Sequence, residues 1–233
     1  MDGLRVRERL GVADVVTLSN AAVGLVAAVA AFSDPALAAR LILLGAIADG
    51  LDGITARKLG GSEVGPLLDA ITDVVSFGAT PALFVYVVTA EAWGWREAGL
   101  VAAPPAQAAV VLTVAALFAV LSIVRTALYA KYFTEANTRP GVQNTLAATI
   151  LAAAYLAGFS WVPGLLIGTL VLSVAMVAPV PYPKLNARDA SLMGAVQFGA
   201  VVAPTVLNRA LPRTLLVAAF AYLLLAPRFY WEE

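Results

Sequence analysis

Long apolar runs, broken by short clusters of glycine, proline and charge, dominate the chain. A helix that crosses a bilayer needs about 20 mainly apolar residues. Runs of that kind predict eight helical spans, at about 14–32, 37–58, 64–89, 106–131, 141–159, 162–178, 190–208 and 211–227. The last two are parted only by Asn208 to Pro212, and the break near 160–163 rests on Gly158, Ser160 and Pro163. The expected fold is therefore all-α: a polytopic transmembrane helix bundle of about eight spans, a six-span core plus extra helices. Six spans with re-entrant segments are the alternative. Internal repeats are not evident, and the 233 residues read as a single integral-membrane domain.

Composition sharpens this picture. The chain is 61% hydrophobic and 13% charged, with a mean hydropathy of +0.86, values that belong to polytopic membrane proteins. No long polar stretch is present to build a soluble domain. The chain contains neither cysteine nor histidine. A disulfide framework, a thiolate or imidazole metal site and a cysteine nucleophile are all excluded. Any metal must be held by oxygens, and any general base must be a carboxylate, Lys or Tyr. The formal net charge is zero, and no nucleic-acid partner is expected.

Charge placement sets the expected orientation. Arg5, Arg7, Arg9, Arg57, Lys58, Arg125, Lys131, Arg139, Lys184, Arg188 and Arg228 collect on one side. Arg40, Arg96, Arg209 and Arg213 collect on the other. The first side is expected to be cytoplasmic, with both termini and the segment Gly60 to Gly65. Trp93 and Trp95, in the loop from Ala90 to Pro105, suit an interfacial belt on the opposite side. Residues 1–13 lack the apolar core of a signal peptide. They read as a cytoplasmic interfacial stretch leading into the first span, or as a frayed polar terminus.

Four acids stand out against this background: Asp49 and Asp52 in AIADGLDGITAR, and Asp69 and Asp73 in GPLLDAITDVVSFG. A charged residue at membrane depth costs about 2.5–3.5 kcal/mol on the gentlest scale. Spacings of three and four place each pair on one helical face, one turn apart. The intervening KLGGSEVG suits a tight turn, so the two pairs can face each other across a helix hairpin. Four carboxylates that close repel unless cations lie between them. Two Mg²⁺ or Mn²⁺ ions, which favour oxygen ligands, would balance the charge. Gly53 and Gly65 beside the acids permit close approach of a nucleotide or another helix. Arg57 and Lys58 bring positive charge to the cytoplasmic mouth, and arginine matches phosphate oxygens. Together these groups point to transfer at a diphosphate, with one aspartate taking the proton of an incoming hydroxyl. The residues themselves do not single out which aspartate that is.

The stretch from Asp49 to Asp73 resembles the signature of the CDP-alcohol phosphotransferase family. That signature is D-x2-D-G-x2-A-R, a spacer of about eight, then G-x3-D-x3-D. Asp49, Asp52, Gly53, Ala56, Arg57, Gly65, Asp69 and Asp73 fill every fixed position. The spacer, Lys58 to Val64, is one residue short and lies in the turn. The family often carries Pro/Asp/Asn-x-x-Thr entering its first span, matched here by Ala13-Asp14-Val15-Val16-Thr17; Asp14 also reads as a helix N-cap. Within the family, DVVSFGATPA and VPYPK look most like phosphatidylserine synthases and archaetidylserine synthases.

The resemblance implies a bundle of at least six transmembrane helices, commonly a homodimer in the cell membrane. It implies a CDP-linked lipid donor (CDP-diacylglycerol or CDP-archaeol), two divalent cations and release of CMP. Asp49 and Asp69 would bridge both metals, Asp52 would complete one site, and Asp73 would complete the other and act as the base. Gly53, Arg57 and Ser62 would contact the cytidine diphosphate portion, with Ala13, Asp14, Val15 and Val16 closing over the nucleotide. The acceptor is less well marked. Serine synthases usually show an L-R-x-A-R-F-like segment, where this chain has SIVRTAL. Arg125 reads either as an anion contact for the serine carboxylate or as a positive charge at a cytoplasmic helix end. Arg139, Gln143 and Asn144 are further candidates for the acceptor pocket, although Pro140-Gly141 is first a turn.

The expected activity is transfer of a phosphatidyl-type group from the CDP-lipid to the hydroxyl of L-serine. Glycerol phosphate or an inositol phosphate are alternative acceptors, but need more cationic residues near the site. A divalent-cation transporter is the alternative of another class. It gives Gly53 and Arg57 no role and would favour a second copy of the acidic hairpin, which the sequence lacks.

Overall fold

The computed structural model describes residues 10–59, 62–132, 138–183 and 185–230. Most of the expected interfacial stretch, residues 1–9, lies outside the described residues. So do the side chains of Asp52, Gly53, Ala56, Arg57 and Arg139, although their backbone is assigned.

Eight helices form the bundle among the described residues. They are α1 (Val12–Ala31), α2 (Pro35–Leu59), α3 (Gly65–Ala92), α4 (Pro105–Tyr132), α5 (Asn144–Leu156), α6 (Val162–Met176), α7 (Ala187–Val202) and α8 (Val206–Phe229). The all-α membrane-type fold read from the apolar runs is what the chain adopts. Helices α1, α3, α4 and α8 are long and apolar enough to cross a membrane, while α5 and α6 are shorter apolar helices.

Local chemistry explains the boundaries. Asp34 caps α2 by accepting the Leu37 N–H at 3.0 Å, and Pro35 occupies the first turn, where its missing donor costs nothing. Alanines pack α1 against α2: Ala27, Ala30, Ala31, Ala38 and Ala39 are all buried. Small side chains let helix backbones approach closely. Helix α5 is the central post. Ala147 through Ala153 are buried without a break, which marks a helix surrounded on all sides, and it packs against α2, α3, α6 and α8.

Helix α3 changes pitch directly after Asp73, where Val74–Ala79 form a π turn. Pro81 has no N–H to offer the carbonyl four residues back. The widened turn accommodates it, with the Thr80 N–H and hydroxyl both donating to the Val75 carbonyl. Such insertions cluster at functional sites. The turn also presents small groups to both neighbours. Ser76 Oγ donates to the Asn20 carbonyl and Thr80 Oγ1 to the Gly24 carbonyl, both on α1. Gly78 abuts Ser122 of α4.

Two three-residue strands, β1 (Thr138–Pro140) and β2 (Pro181–Pro183), pair antiparallel with Arg139 opposite Tyr182. The sequence pattern gave no sign of this ribbon, because proline-rich triplets carry little strand propensity. It is pinned where Gly141 N donates to Val180 O at 2.9 Å and Val142 N to Ala175 O at 3.0 Å. Gly141 has φ +73, and any side chain there would meet the Met176 carbonyl, so this turn requires glycine.

Three expectations need correction. The break between the last two helices begins at Ala203 to Thr205, ahead of the expected Asn208 to Pro212, and overlaps the expected break at Asn208 and Arg209. Pro204 disfavours the helical region for the residue before it, and Ala203 accordingly has φ −132, ψ 60. Leu207, Asn208 and Arg209 then take left-handed φ values of 50 to 62 before the right-handed part of α8. Asp14 is not the N-cap of α1. Gly11 is, and Asp14 sits at N3, accepting the Gly11 N–H at 2.6 Å. Trp95 does not face outward in a belt. It is 5% exposed, packs edge-on to Tyr86 and donates from Nε1 to Gln107 Oε1 at 3.0 Å.

Candidate active site

Asp49 stands in the second half of α2, and Asp69 and Asp73 in the first three turns of α3. One carboxylate oxygen from each lies within 4.8 Å of the other two. Asp69 is exposed, and Asp49 and Asp73 are half-buried, so the centre has a solvent side and a protein side. The spacing of four that put Asp69 and Asp73 on one face is preserved because both precede the π turn. The fourth acid, Asp52, is one helical turn from Asp49 along α2, on backbone that is helical.

Three carboxylates converging this way carry like charges at short range, which favours a bound cation. Every donor is oxygen, and the chain holds no softer ligand. This set fits a hard divalent cation.

A second constellation lies at the N-terminal end of α3. Asp14 is 2% exposed, and its carboxylate comes so close to Gly65 that a Cβ there would sit 3.1 Å from Oδ1 and 3.6 Å from Ser62 Oγ. Asp14, Ser62 and Gly65 therefore meet at one point. The positive end of the α3 dipole suits a carboxylate there. Ser62 Oγ is buried without a hydrogen-bond partner among the described residues, leaving a donor for a polar ligand. Ala13 is buried next to Asp14 in the chain, Val15 is 59% exposed, and Val16 is half-buried.

Arg125, on α4, is 7% exposed. Its guanidinium lies 5.1 Å from the centre of the Tyr129 ring, an attractive cation–π arrangement. The pair lines a cavity of about 200 Å³ together with Leu128, Pro140, Met176 at the end of α6 and the following residues Val177 to Pro179. The β-ribbon thus forms part of the cavity wall that carries Arg125. Thr145, absent from the sequence-based candidates, donates to Asp49 Oδ2 at 3.2 Å. Its neighbour Asn144 donates from Nδ2 to Thr126 Oγ1 at 2.7 Å and to the Ser122 carbonyl at 3.4 Å.

A helical membrane-type bundle that carries an oxygen-only acidic centre with one exposed side defines a class of membrane proteins equipped to bind divalent cations. The family profile described as CDP-alcohol phosphatidyltransferase matches residues 10–181, and the chain belongs to that family. It is accordingly a transferase of phospholipid biosynthesis, which leaves the cation-transporter alternative without support. Among curated relatives, the archaetidylserine synthase of Methanothermobacter thermautotrophicus is 24% identical over 195 residues, covering 82% of this chain and 77% of the relative. The CDP-diacylglycerol--serine O-phosphatidyltransferase of Methanocaldococcus jannaschii is 43% identical over 83 residues, 35% of this chain and 38% of the relative. The protein of the same description from Mycobacterium bovis is 47% identical over 64 residues, 26% of this chain and 22% of the relative.

Proposed function

We propose that the protein transfers a phosphatidyl-type group, on diacylglycerol or archaeol, from a CDP-lipid to the hydroxyl of L-serine and releases CMP. The observation that carries this reading is the convergence of Asp49, Asp69 and Asp73 on one point within a chain of this family. The serine synthases among its relatives support the choice of acceptor.

Asp49, Asp69 and Asp73, with Asp52, would hold two Mg²⁺ or Mn²⁺ ions. When bound, the ions neutralise charge on the diphosphate and on the departing CMP. Asp14 and Ser62, with Gly53 and Arg57 on the last turns of α2, hold the cytidine diphosphate portion; Ala13 and Val16 close the same side. Asp73 accepts the proton of the serine hydroxyl. The oxygen forms a bond to the lipid-side phosphorus, and the bond from that phosphorus to the CMP oxygen breaks. Arg125 pairs with the serine carboxylate, for which a guanidinium offers two parallel donors. The site opens to the cytoplasm, both termini lie on that side, and the protein works as a homodimer.

Purified protein given CDP-diacylglycerol or CDP-archaeol, Mn²⁺ or Mg²⁺ and a panel of alcohols tests the proposal. Serine is expected to give the fastest CMP release and an aminolipid product, and EDTA to stop both. Preference for glycerol phosphate or an inositol phosphate would overturn the acceptor, and absence of CMP release with every alcohol would overturn the reaction.

A further inference from the structure

The bond from Thr145 to Asp49 joins residues 96 positions apart and connects the acidic centre to the central helix. Asp49 lies on α2, and Thr145 lies in the first turn of α5. That turn is held from three directions. Asn144, 0% exposed, donates to α4 at Thr126 and Ser122, on either side of Arg125 in sequence. Val142 donates to α6 at Ala175. Gly141 lies so close to the Met176 carbonyl that no side chain fits between them. The Thr145 hydroxyl is thus presented by a fixed backbone, and its β-branched side chain has few rotamers.

We propose that Thr145 is a positioning residue for the carboxylate centre. Its hydroxyl sets the plane of the Asp49 carboxylate, and Asn144 ties the turn that carries it to the segment of α4 bearing Arg125. The inference rests on the cation-binding reading of that centre. A distance of 3.2 Å is long for a hydroxyl–carboxylate bond, so the contribution is to orientation, not to charge balance. Groups that orient a metal-ligating carboxylate typically influence affinity by tenfold or more.

Calorimetric titration of the purified, detergent-solubilised protein with Mn²⁺ tests this in four forms: unmodified, Thr145→Val, Thr145→Ser and Asp49→Asn. Thr145→Val is expected to weaken Mn²⁺ binding about tenfold, and Thr145→Ser to stay within about twofold of the unmodified protein. The melting temperature without metal should be alike in these three. Thr145→Ala serves the same comparison if valine is not tolerated. Loss of Mn²⁺ binding in Asp49→Asn alone, with Thr145→Val unaffected, would overturn the role of Thr145 while leaving the metal centre intact. A loss in Thr145→Ser equal to that in Thr145→Val would also overturn it, because the hydroxyl would not be the cause. Equal binding in all four forms, or none in the unmodified protein, would remove the cation reading and this inference with it.

Discussion

Asp73 occupies the last residue before α3 widens into its π turn, half-buried and close to two other carboxylates. That position combines ligand and base, and the two roles separate in Asp73→Asn. The amide keeps an oxygen for a cation but cannot accept the acceptor's proton. Turnover is expected to fall by about 10²–10⁴-fold with CDP-lipid binding largely retained, as measured by CMP release and by donor titration. Unchanged turnover would remove Asp73 as the base. The aspartates were legible in the sequence because helical periodicity converts spacing into a shared face, and because acids stand out in apolar sequence. Thr145 was not legible. A threonine in an alanine-rich helix carries no local signal, and its relation to Asp49 exists only once α5 lies against α2. Asp14 was legible as a helix-start residue but misplaced within the turn, since Gly11, with no side chain, leaves little trace as a cap.

At the scale of elements, seams of glycine against serine position the acidic segment. A Cβ at Gly24 would sit 2.6 Å from Ser76 Oγ and 2.9 Å from Ser76 Cα, and one at Gly78 would sit 2.5 Å from Ser122 Oγ. Gly78→Ala therefore forces α3 away from α4 or pushes Ser122 off its rotamer, at a cost of about 1–3 kcal/mol. Thermal unfolding in detergent should show the lower stability, and adding Ser122→Ala should recover part of it. Full stability in Gly78→Ala would show that the seam yields more easily than its geometry implies. All eight helices were legible from apolar runs, since each is bounded by proline, glycine or charge. Inside the runs the signals were weaker. Gly78-Ala79-Thr80-Pro81 does mark the π turn, but hydropathy is blind to pitch. Pro204 marks the true end of α7, yet an apolar stretch on both sides masked it. The β-ribbon depends on the pairing of segments about forty residues apart and has no hydropathic signature at all.

At the scale of the molecule, fold and family were both legible, because the apolar runs extend along the whole chain and the acidic motif between Asp49 and Asp73 breaks them with a recognisable spacing. The proposed orientation across the membrane rests on the distribution of Lys and Arg and can be tested directly. The chain has no cysteine, so a single introduced thiol reports its own location. Glu63 and Glu97 are both exposed, one in the turn before α3 and the other in the loop after it. In sealed vesicles of known sidedness, a membrane-impermeant maleimide should label Glu63→Cys only from the cytoplasmic side and Glu97→Cys only from the opposite side. The reverse pattern would turn the whole bundle over, and would place the acidic centre out of reach of cytoplasmic substrates.

The widened turn in α3 also sets the phase between the two halves of the molecule. Successive residues advance about 100° around a helix axis. The π turn holds one residue more than α-helical pitch would over the same stretch, so straightening Val74–Ala79 with every residue kept would leave hydropathy untouched yet rotate the acidic half against the glycine seam by roughly that angle. Either the carboxylates would swing out of register with Asp49, or Gly78 would turn away from Ser122. The pitch of this one turn, invisible in a hydropathy profile, thus couples the two faces of the helix.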